Sequence, residues 1–343
     1  MTHSKSMATG DVIASSTAAI GGLGLRVAYK KDFNLTESES QQLMACVCYG
    51  FEQSCHVGDA VDIEVEIEQL GDNNYKELWY SNSPVQTGKS GSISYRYNDD
   101  VLFGCWRPAV ATSNLRSETD KAYKELREFL STSSHPYLLR AWNYMPLINE
   151  EEEGLERYRQ FCLGRHDALL RDGEHMEAGL PAASALGSGG RGLVMYFIST
   201  RLPGTSVENP RQVSAYRYPE QYGPKSPSFS RAMLAGDSAK SDLFISGTAS
   251  IKGHETRHAG DVKAQLEETV TNINALIKQG DCGPKEIAGL SLLKIYLRRA
   301  SDYSQIHELM TEIAPNVPTL YLRADICRED LLLEIEGLYL SSN

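Results

Sequence analysis

Pro318–Leu340, PTLYLRADICREDLLLEIEGLYL, reads as a turn leading into a closing β-strand. Successive side chains of a strand face opposite sides. In Leu331–Leu340 one face is Leu331, Leu333, Ile335, Gly337 and Tyr339, and the other is Leu332, Glu334, Glu336, Leu338 and Leu340. Carboxylates set between leucines are costly unless paired, protonated or used. One reading is a polar mid-strand face that touches solvent or pairs with arginine. The other is a glutamate whose apolar neighbours raise its pKa, so that it holds and delivers a proton near neutral pH. Cys327, followed by Arg328, reads either as a small buried hydrophobe or as a thiol tuned by the arginine.

The order that this strand completes occurs twice in the chain, and a repeat of this kind decides the fold. Asp100-Val-Leu-Phe-Gly-Cys105 resembles Asp242-Leu-Phe-Ile-Ser-Gly247, and the helical pattern ETDKAYKELREFL around Ala122 matches GDVKAQLEETVTNI around Ala264. Leu139-Arg-Ala-Trp-Asn-Tyr144 parallels Leu293-Lys-Ile-Tyr-Leu-Arg298. Second helical segments follow near Leu155–Leu163 and Tyr303–Ile313. Each unit closes with a proline and a hydrophobic strand, Pro181 with Leu193–Thr200 and Pro318 with Leu331–Leu340. Aligning Leu193 with Leu331 puts Tyr196 opposite Glu334, so only one unit carries the glutamate.

Further strands are predicted at Leu25–Lys30, Val61–Leu70 and Leu78–Ser81; VDIEVEI in the second alternates as a half-exposed strand does. The expected organisation is a flexible arm over residues 1–24 and a first unit with extra strands over 25–200. A connecting loop over 201–227 and a second unit over 228–343 follow. The loop is rich in proline (203, 210, 219, 224, 227) and tyrosine (216, 218, 222), which favours a packed or ligand-facing segment over a tether.

The 343 residues accommodate two domains. A net charge of −11 argues against nucleic-acid binding. No apolar run is long enough to span a bilayer. Val12–Leu25 is too broken by Ser15–Thr17 and glycines 21, 22 and 24 to serve as a signal peptide, so a cytoplasmic location is expected. The seven scattered cysteines fit reduced thiols better than a disulfide framework.

Three motifs are louder than their contexts allow. His254-Glu-Thr-Arg-His258 fits the zinc-protease pattern but lies between Gly253 and Gly260-Asp261, in a loop and not on a helix. Gly187-Ser-Gly-Gly-Arg-Gly192 leads into a strand, whereas a dinucleotide site needs a helix there. Cys46, Cys48, Cys55 and His56 match no usual zinc spacing, and Met44–Phe51 reads equally well as an apolar segment with buried thiols. No metal and no cofactor are therefore expected. Arginines gather at 157, 159, 165, 201, 217 and 231, and Arg201 ends a strand before Leu-Pro-Gly. Guanidinium groups hold carboxylates in bidentate geometry.

The second unit, with LFISGTAS, the GDVKAQ helix, LLKIYLR and LLLEIEG, resembles a RidA/YjgF-type domain. Together with WNYMPLIN, GLERYRQFCLGR and YRYPEQYGPKSPSFSRA, the chain resembles the chorismatases over residues 25–340. The resemblance implies an α/β (α+β) fold of two chorismate-mutase-like units, mixed sheets with helices on one face. It implies cleavage of chorismate to pyruvate and a cyclic acid, with Glu334 as the proton donor. Cys327 in ADICRED is similar to the variant that forms 3-hydroxybenzoate, an aromatic starter unit for secondary metabolism such as polyketide assembly. For this substrate, Arg157 and Arg201 are expected to grip carboxylates, and Tyr144 and Tyr216 to position the ring or side chain. The fused pair implies a monomer, with a small homo-oligomer as the alternative. The rival functions are a RidA-like imine deaminase and a non-catalytic binding module for aromatic carboxylates. The Pro-x-Arg motif of generic RidA domains is absent, since Thr319-Leu320 follows Pro318.

Overall fold

The computed structural model describes residues 22–341 except 32, 52–54, 72–73, 109–113, 172–173, 176–178, 191 and 238–239. Of the expected arm over 1–24, residues 1–21 lie outside the described residues. Gly22 and Leu23 are fastened: their backbone N–H groups donate to buried Asp242 at 2.8 and 3.0 Å, and the same carboxylate accepts from the Ser341 N–H at 2.9 Å.

Two six-strand arrangements repeat. In the first unit the spatial order is Ala182–Ser188, Tyr137–Pro146, Val194–Thr200, Val101–Trp106, Ile93–Tyr97 and Gln86–Ser90. In the second it is Thr319–Arg323, Leu292–Leu297, Leu333–Tyr339, Lys240–Thr248, Ala232–Asp237 and Thr205–Val207, with Glu68–Gln69 added at one edge. In both, the first pair is parallel and the next two pairs are antiparallel. A parallel pair needs a long crossover, which the helices Arg157–Leu169 and Tyr303–Ile313 supply. The helices Leu115–Thr132 and Val262–Gly280 join the preceding strands. They start where the Asn114 and Asp261 side chains accept from the N–H of Ser117 and Ala264.

Residues 25–81 form a third sheet of the same four-strand order: Val61–Val65, Leu43–Tyr49, Lys76–Ser81 and Leu25–Lys30. Its helices are reduced to one short turn, Glu37–Gln42, and a loop. Within the unit expected over 25–200 this sheet has no sequence signal of its own, because the amphipathic helices that advertise a repeat are reduced to Glu37–Gln42 there. The registers match position by position. Glu334 stands opposite Tyr296 and Glu336 opposite Lys294. Tyr196 stands opposite Trp142 and Ile198 opposite Arg140. Glu77 stands opposite Val47 and Trp79 opposite Ala45. Tyr196, Glu334 and Glu77 thus occupy one position in three copies.

The inner faces of all three sheets share one core, to which Tyr49, Trp79, Phe103, Trp142, Tyr196, Phe244, Tyr296 and Leu338 contribute. The outer faces of the first two lie under their helices. The outer face of the N-terminal sheet holds Cys46, Cys48, Cys55, Leu78 and Tyr80. The expectation of free thiols is corrected here. The chain returns over Leu43–Tyr49 so that Cys48 and Cys55 come within 5.6 Å, Cα to Cα, and join as a disulfide. Cys46, Cys105, Cys162, Cys282 and Cys327 are free.

Candidate active site

Where the first unit meets the second, Ala182–Ser188 runs beside Lys240–Thr248. The Ala183 N–H donates to Ser246 Oγ at 2.9 Å, and the Gly247 N–H to Ser184 Oγ at 3.0 Å. Beside this seam opens a cavity of about 790 Å³. Its wall includes Glu334, Cys327 and Arg231 from the second unit, Tyr158, Cys162 and Arg165 from the helix Arg157–Leu169, and Tyr218 and Tyr222 from the connecting loop. The proline- and tyrosine-rich loop is therefore packed against the cavity, with Tyr218 and Tyr222 as its aromatic contribution.

The two glutamates of the closing strand share a face, as their alternation predicts, but meet opposite surroundings. Glu336 lies in a fully occupied buried network. Trp142 Nε1 donates to its Oε2 at 2.8 Å, the Tyr296 hydroxyl to its Oε1 at 3.2 Å, and Arg140 Nη2 stands 3.2 Å from Oε1. Lys294 bridges Glu336 at 3.7 Å and Glu77 at 2.9 Å. Glu77 also accepts from the Tyr49 hydroxyl at 2.7 Å and Trp79 Nε1 at 2.8 Å. Burial pushes the Glu336 pKa up, but Arg140 and Lys294, with hydrogen bonds from Ser184 and Trp142, outweigh it and hold the group ionised. For Lys294, burial opposes the charge, and Glu77, Tyr144 and Glu336 restore it, raising the pKa.

Glu334 is buried yet makes no hydrogen bond or ion pair with a described residue. Its pKa is pushed up to about 8, first by burial and then by the Glu336 carboxylate, against the opposing Arg140 and Arg231. At neutral pH it is a carboxylic acid facing a cavity, as a general acid requires. Gly247 makes the space: a Cβ there would stand 1.8 Å from Glu334 Oε1. The Gly247 backbone is outside the positive-φ region, so alanine fits the chain but not the site. Gly247→Ala is expected to lower turnover at least about tenfold with an unchanged circular dichroism spectrum; wild-type turnover would show that the carboxyl has another resting place.

Cys327 is half-buried, with its pKa pushed up to about 12 by desolvation and then by Glu334. It stays a thiol at neutral pH and is a poor nucleophile.

The four residues expected to bind substrate lie elsewhere. Tyr144 is fully buried beneath the wall, 2.7 Å from the Tyr296 hydroxyl and 3.3 Å from that of Tyr196. Arg157 is tied down by Glu152 and donates through Nε to the Pro146 carbonyl at 2.9 Å. Arg201 is exposed beyond the end of Val194–Thr200, and Tyr216 lies under Arg217, 5.5 Å from guanidinium to ring centre. None of the four lines the cavity. Arg165, Arg231 and Arg328 do, and each keeps guanidinium N–H groups with no hydrogen-bond partner among the described residues. Arg165 is 3% exposed, rests 4.8 Å from the centre of the Tyr123 ring and has no carboxylate partner among the described residues. A buried guanidinium left open in this way is a seat for an anion. Its signal in the sequence is spacing: Tyr158, Phe161, Cys162 and Arg165 fall at i, i+3, i+4 and i+7, so Arg165 stands in an apolar stripe. Arg328 is set by cation–π contact with Tyr222 at 4.0 Å and by donation to the His254 carbonyl at 2.9 Å.

The louder motifs have other uses. His254 Nδ1 lies 3.1 Å from the Tyr222 hydroxyl, while His258, at φ 58°, faces Glu268, so the pair does not converge on a metal. The Gly187 and Gly189 N–H groups are spent on the carbonyls of Asp325 and Glu66.

A family model described as chorismatase FkbO/Hyg5-like, N-terminal, matches residues 77–199. A 3-hydroxybenzoate synthase of Streptomyces hygroscopicus is 34% identical over 290 residues, 81% of this chain and 85% of that protein. A chorismatase of Streptomyces rapamycinicus is 36% identical over 278 residues, 78% of this chain and 83% of its own length. A chorismatase crystal structure at 1.08 Å resolution superimposes with a TM-score of 0.84 at 30% identity, covering 94% of this chain and 99% of that one.

Proposed function

Because the chain belongs to the chorismatase family, a family of enzymes, we propose that it converts chorismate to 3-hydroxybenzoate and pyruvate, with Glu334 as the general acid. The observation that carries this reading is a protonated glutamate opening, beside Gly247, into a cavity that also presents unpaired arginines. Chorismate is a dianion with an enolpyruvyl ether. Arg165 and Arg231 take its carboxylates, with Arg328 at the rim; Tyr218 and Tyr222 flank the ring. Glu334 gives its proton to the enol-ether methylene, and the electron pair of that double bond forms the new C–H bond. The ring C–O bond then breaks, and the ether oxygen becomes the keto oxygen of pyruvate.

The neighbouring ring hydroxyl oxygen closes on the vacated carbon, gives up its proton, and forms an epoxide that opens to the phenol. The proton gained by the methylene and the one lost by the hydroxyl cancel. Chorismate and the product pair contain the same atoms, so no water is consumed. Walls of Ala183, Phe229, Ala249 and Leu331 suit a reaction from which water is excluded. Cys327, as a neutral thiol beside Glu334, occupies space that water would need and can pass a proton. The cavity is walled by one chain, in keeping with a monomer. We place the enzyme in the cytoplasm, where such a metabolite is made; no described helix is long and apolar enough to cross a membrane.

Incubation with chorismate, chromatography of the aromatic product and a pyruvate assay test the function. Equal amounts of 3-hydroxybenzoate and pyruvate are expected, and no chorismate consumption would refute the reading. In the same assay Cys327→Ala is expected to divert part of the flux to a dihydroxy-cyclohexadiene acid by admitting water. An unchanged 3-hydroxybenzoate fraction would remove Cys327 from product control.

A further inference from the structure

Ser184 stands in the cavity wall, 5% exposed, and nothing above gives it a chemical role. Its hydroxyl oxygen accepts from Arg140 Nη2 at 2.6 Å and from the Gly247 N–H at 3.0 Å. Both lone pairs of a serine oxygen are thereby used, and one O–H remains to donate. Two carboxyl groups stand near it. The Ser184 hydroxyl is one of the groups that lower the Glu336 pKa. It also shares with Glu334 the space beside Gly247, where a Cβ would stand 3.1 Å from Ser184 Oγ and 1.8 Å from Glu334 Oε1.

The threefold register supplies an independent observation. Ser184 pairs with Trp142, Leu322 with Tyr296, and Ile63 with Val47, so these three are one position in three sheets. Leu322 and Ile63 are buried in the shared core. A hydroxyl replaces an aliphatic side chain at the seam that opens into the large cavity. Arg140, which holds it, replaces Ala45 of the N-terminal sheet in the same register.

We propose that Ser184 is a positioning residue that turns its O–H from Glu336 to Glu334 as Glu334 gives up its proton. The step moves no bond of serine: the Glu334 O–H breaks, its electron pair stays on the carboxylate, and the proton forms the substrate C–H bond. The new carboxylate then gains a hydrogen bond in a cavity where it otherwise has no described partner. Glu336, already held by Arg140, Lys294, Trp142 and Tyr296, loses little. The other groups around Glu334 stay in place through the step. They are Arg140 and Trp142 on Tyr137–Pro146 of the first unit's sheet, Lys294 and Tyr296 on the paired strand Leu292–Leu297, Arg231 just ahead of Ala232–Asp237, Cys327 ahead of the closing strand, and Tyr158, Cys162 and Arg165 in the cavity wall.

This inference rests on Glu334 being the acid, and its test separates the two. Steady-state kinetics with chorismate are measured for the wild type, Ser184→Ala and Ser184→Thr across pH 6–10. For Ser184→Ala the expected result is a kcat lower by about ten- to a hundredfold with KM little changed. The falling limb of its kcat profile should also move to higher pH, because the acid has lost a donor to its ionised form. Ser184→Thr, which keeps the hydroxyl, should recover most of the rate and the wild-type limb. A Ser184→Ala enzyme with wild-type kcat and limb overturns the inference and leaves the acid assignment standing. So does a loss of rate with an unmoved limb that threonine does not repair, which marks a structural role. Absence of turnover by the wild type overturns the chorismatase reading and this inference with it.

Discussion

Glu334→Gln is expected to lower chorismate turnover by about a hundred- to ten-thousandfold, with the fold retained. Glutamine fits the same space and accepts the same neighbours, but has no proton to give to carbon. Near wild-type consumption by the purified variant would end the assignment. The pH dependence follows from the raised pKa. Activity requires the protonated acid, so kcat/KM should fall as the pH passes about 8. Stability carries the same signature. The unfolded Glu334 ionises near its ordinary 4.5 and the folded one near 8, so between these values the folded state holds a proton that the unfolded state has released. That contribution is present in full below the unfolded value and is lost as the pH rises through the folded one. Glu334→Gln removes this slope. The variant should therefore gain on the wild type in unfolding experiments as the pH climbs from 5 to 9. A constant difference over that range would show that the carboxyl is not protonated in the folded enzyme.

Lys294→Met is expected to destabilise the protein by about 3–5 kcal/mol, read from the shift in urea unfolding. Lys294 Nζ lies 2.9 Å from Glu77 and 3.7 Å from Glu336, and all three are buried. It joins the N-terminal sheet to the second unit. Removing it leaves Glu77 with two neutral donors and no cation among the described residues, while Glu336 keeps Arg140. Adding Glu77→Gln removes the stranded charge and should restore more than half of the loss, a coupling that a double-mutant cycle measures. If the single variant costs less than about 1 kcal/mol, the network is not holding these charges in place.

Local pattern carried far in this chain. Alternation along Leu331–Leu340 puts Glu334 and Glu336 on one face of a strand that the structure forms over Leu333–Tyr339. The repeat of strand, helix, strand, helix and strand is matched by sheet order and by register, with Tyr196 opposite Trp142 as Glu334 is opposite Tyr296. The third copy was illegible because strands alone, without amphipathic helices, leave short and ambiguous periodic signals. The arginines were legible as a group and not as individuals. Arg157 and Arg165 lie on one helix, yet Arg157 meets Glu152 and Arg165 turns into the cavity; only packing tells them apart. Tyr144, expected to position the substrate, faces the shared core and not the cavity.

The sequence by itself determined the strand, its two-sided pattern and the presence of two carboxyl groups on its inner side. Only the tertiary structure decided their fates. Glu334 and Glu336 differ little in local sequence, and a carboxyl pKa depends on what stands across from it in space. Arg140 and Trp142, nearly two hundred residues upstream, and Lys294 on the next strand surround Glu336 and keep it charged. Gly247, with no side chain, leaves Glu334 a space without a partner and an opening toward the cavity. One glutamate became a structural anion and the other an acid because three sheets distant in the chain close on the same core.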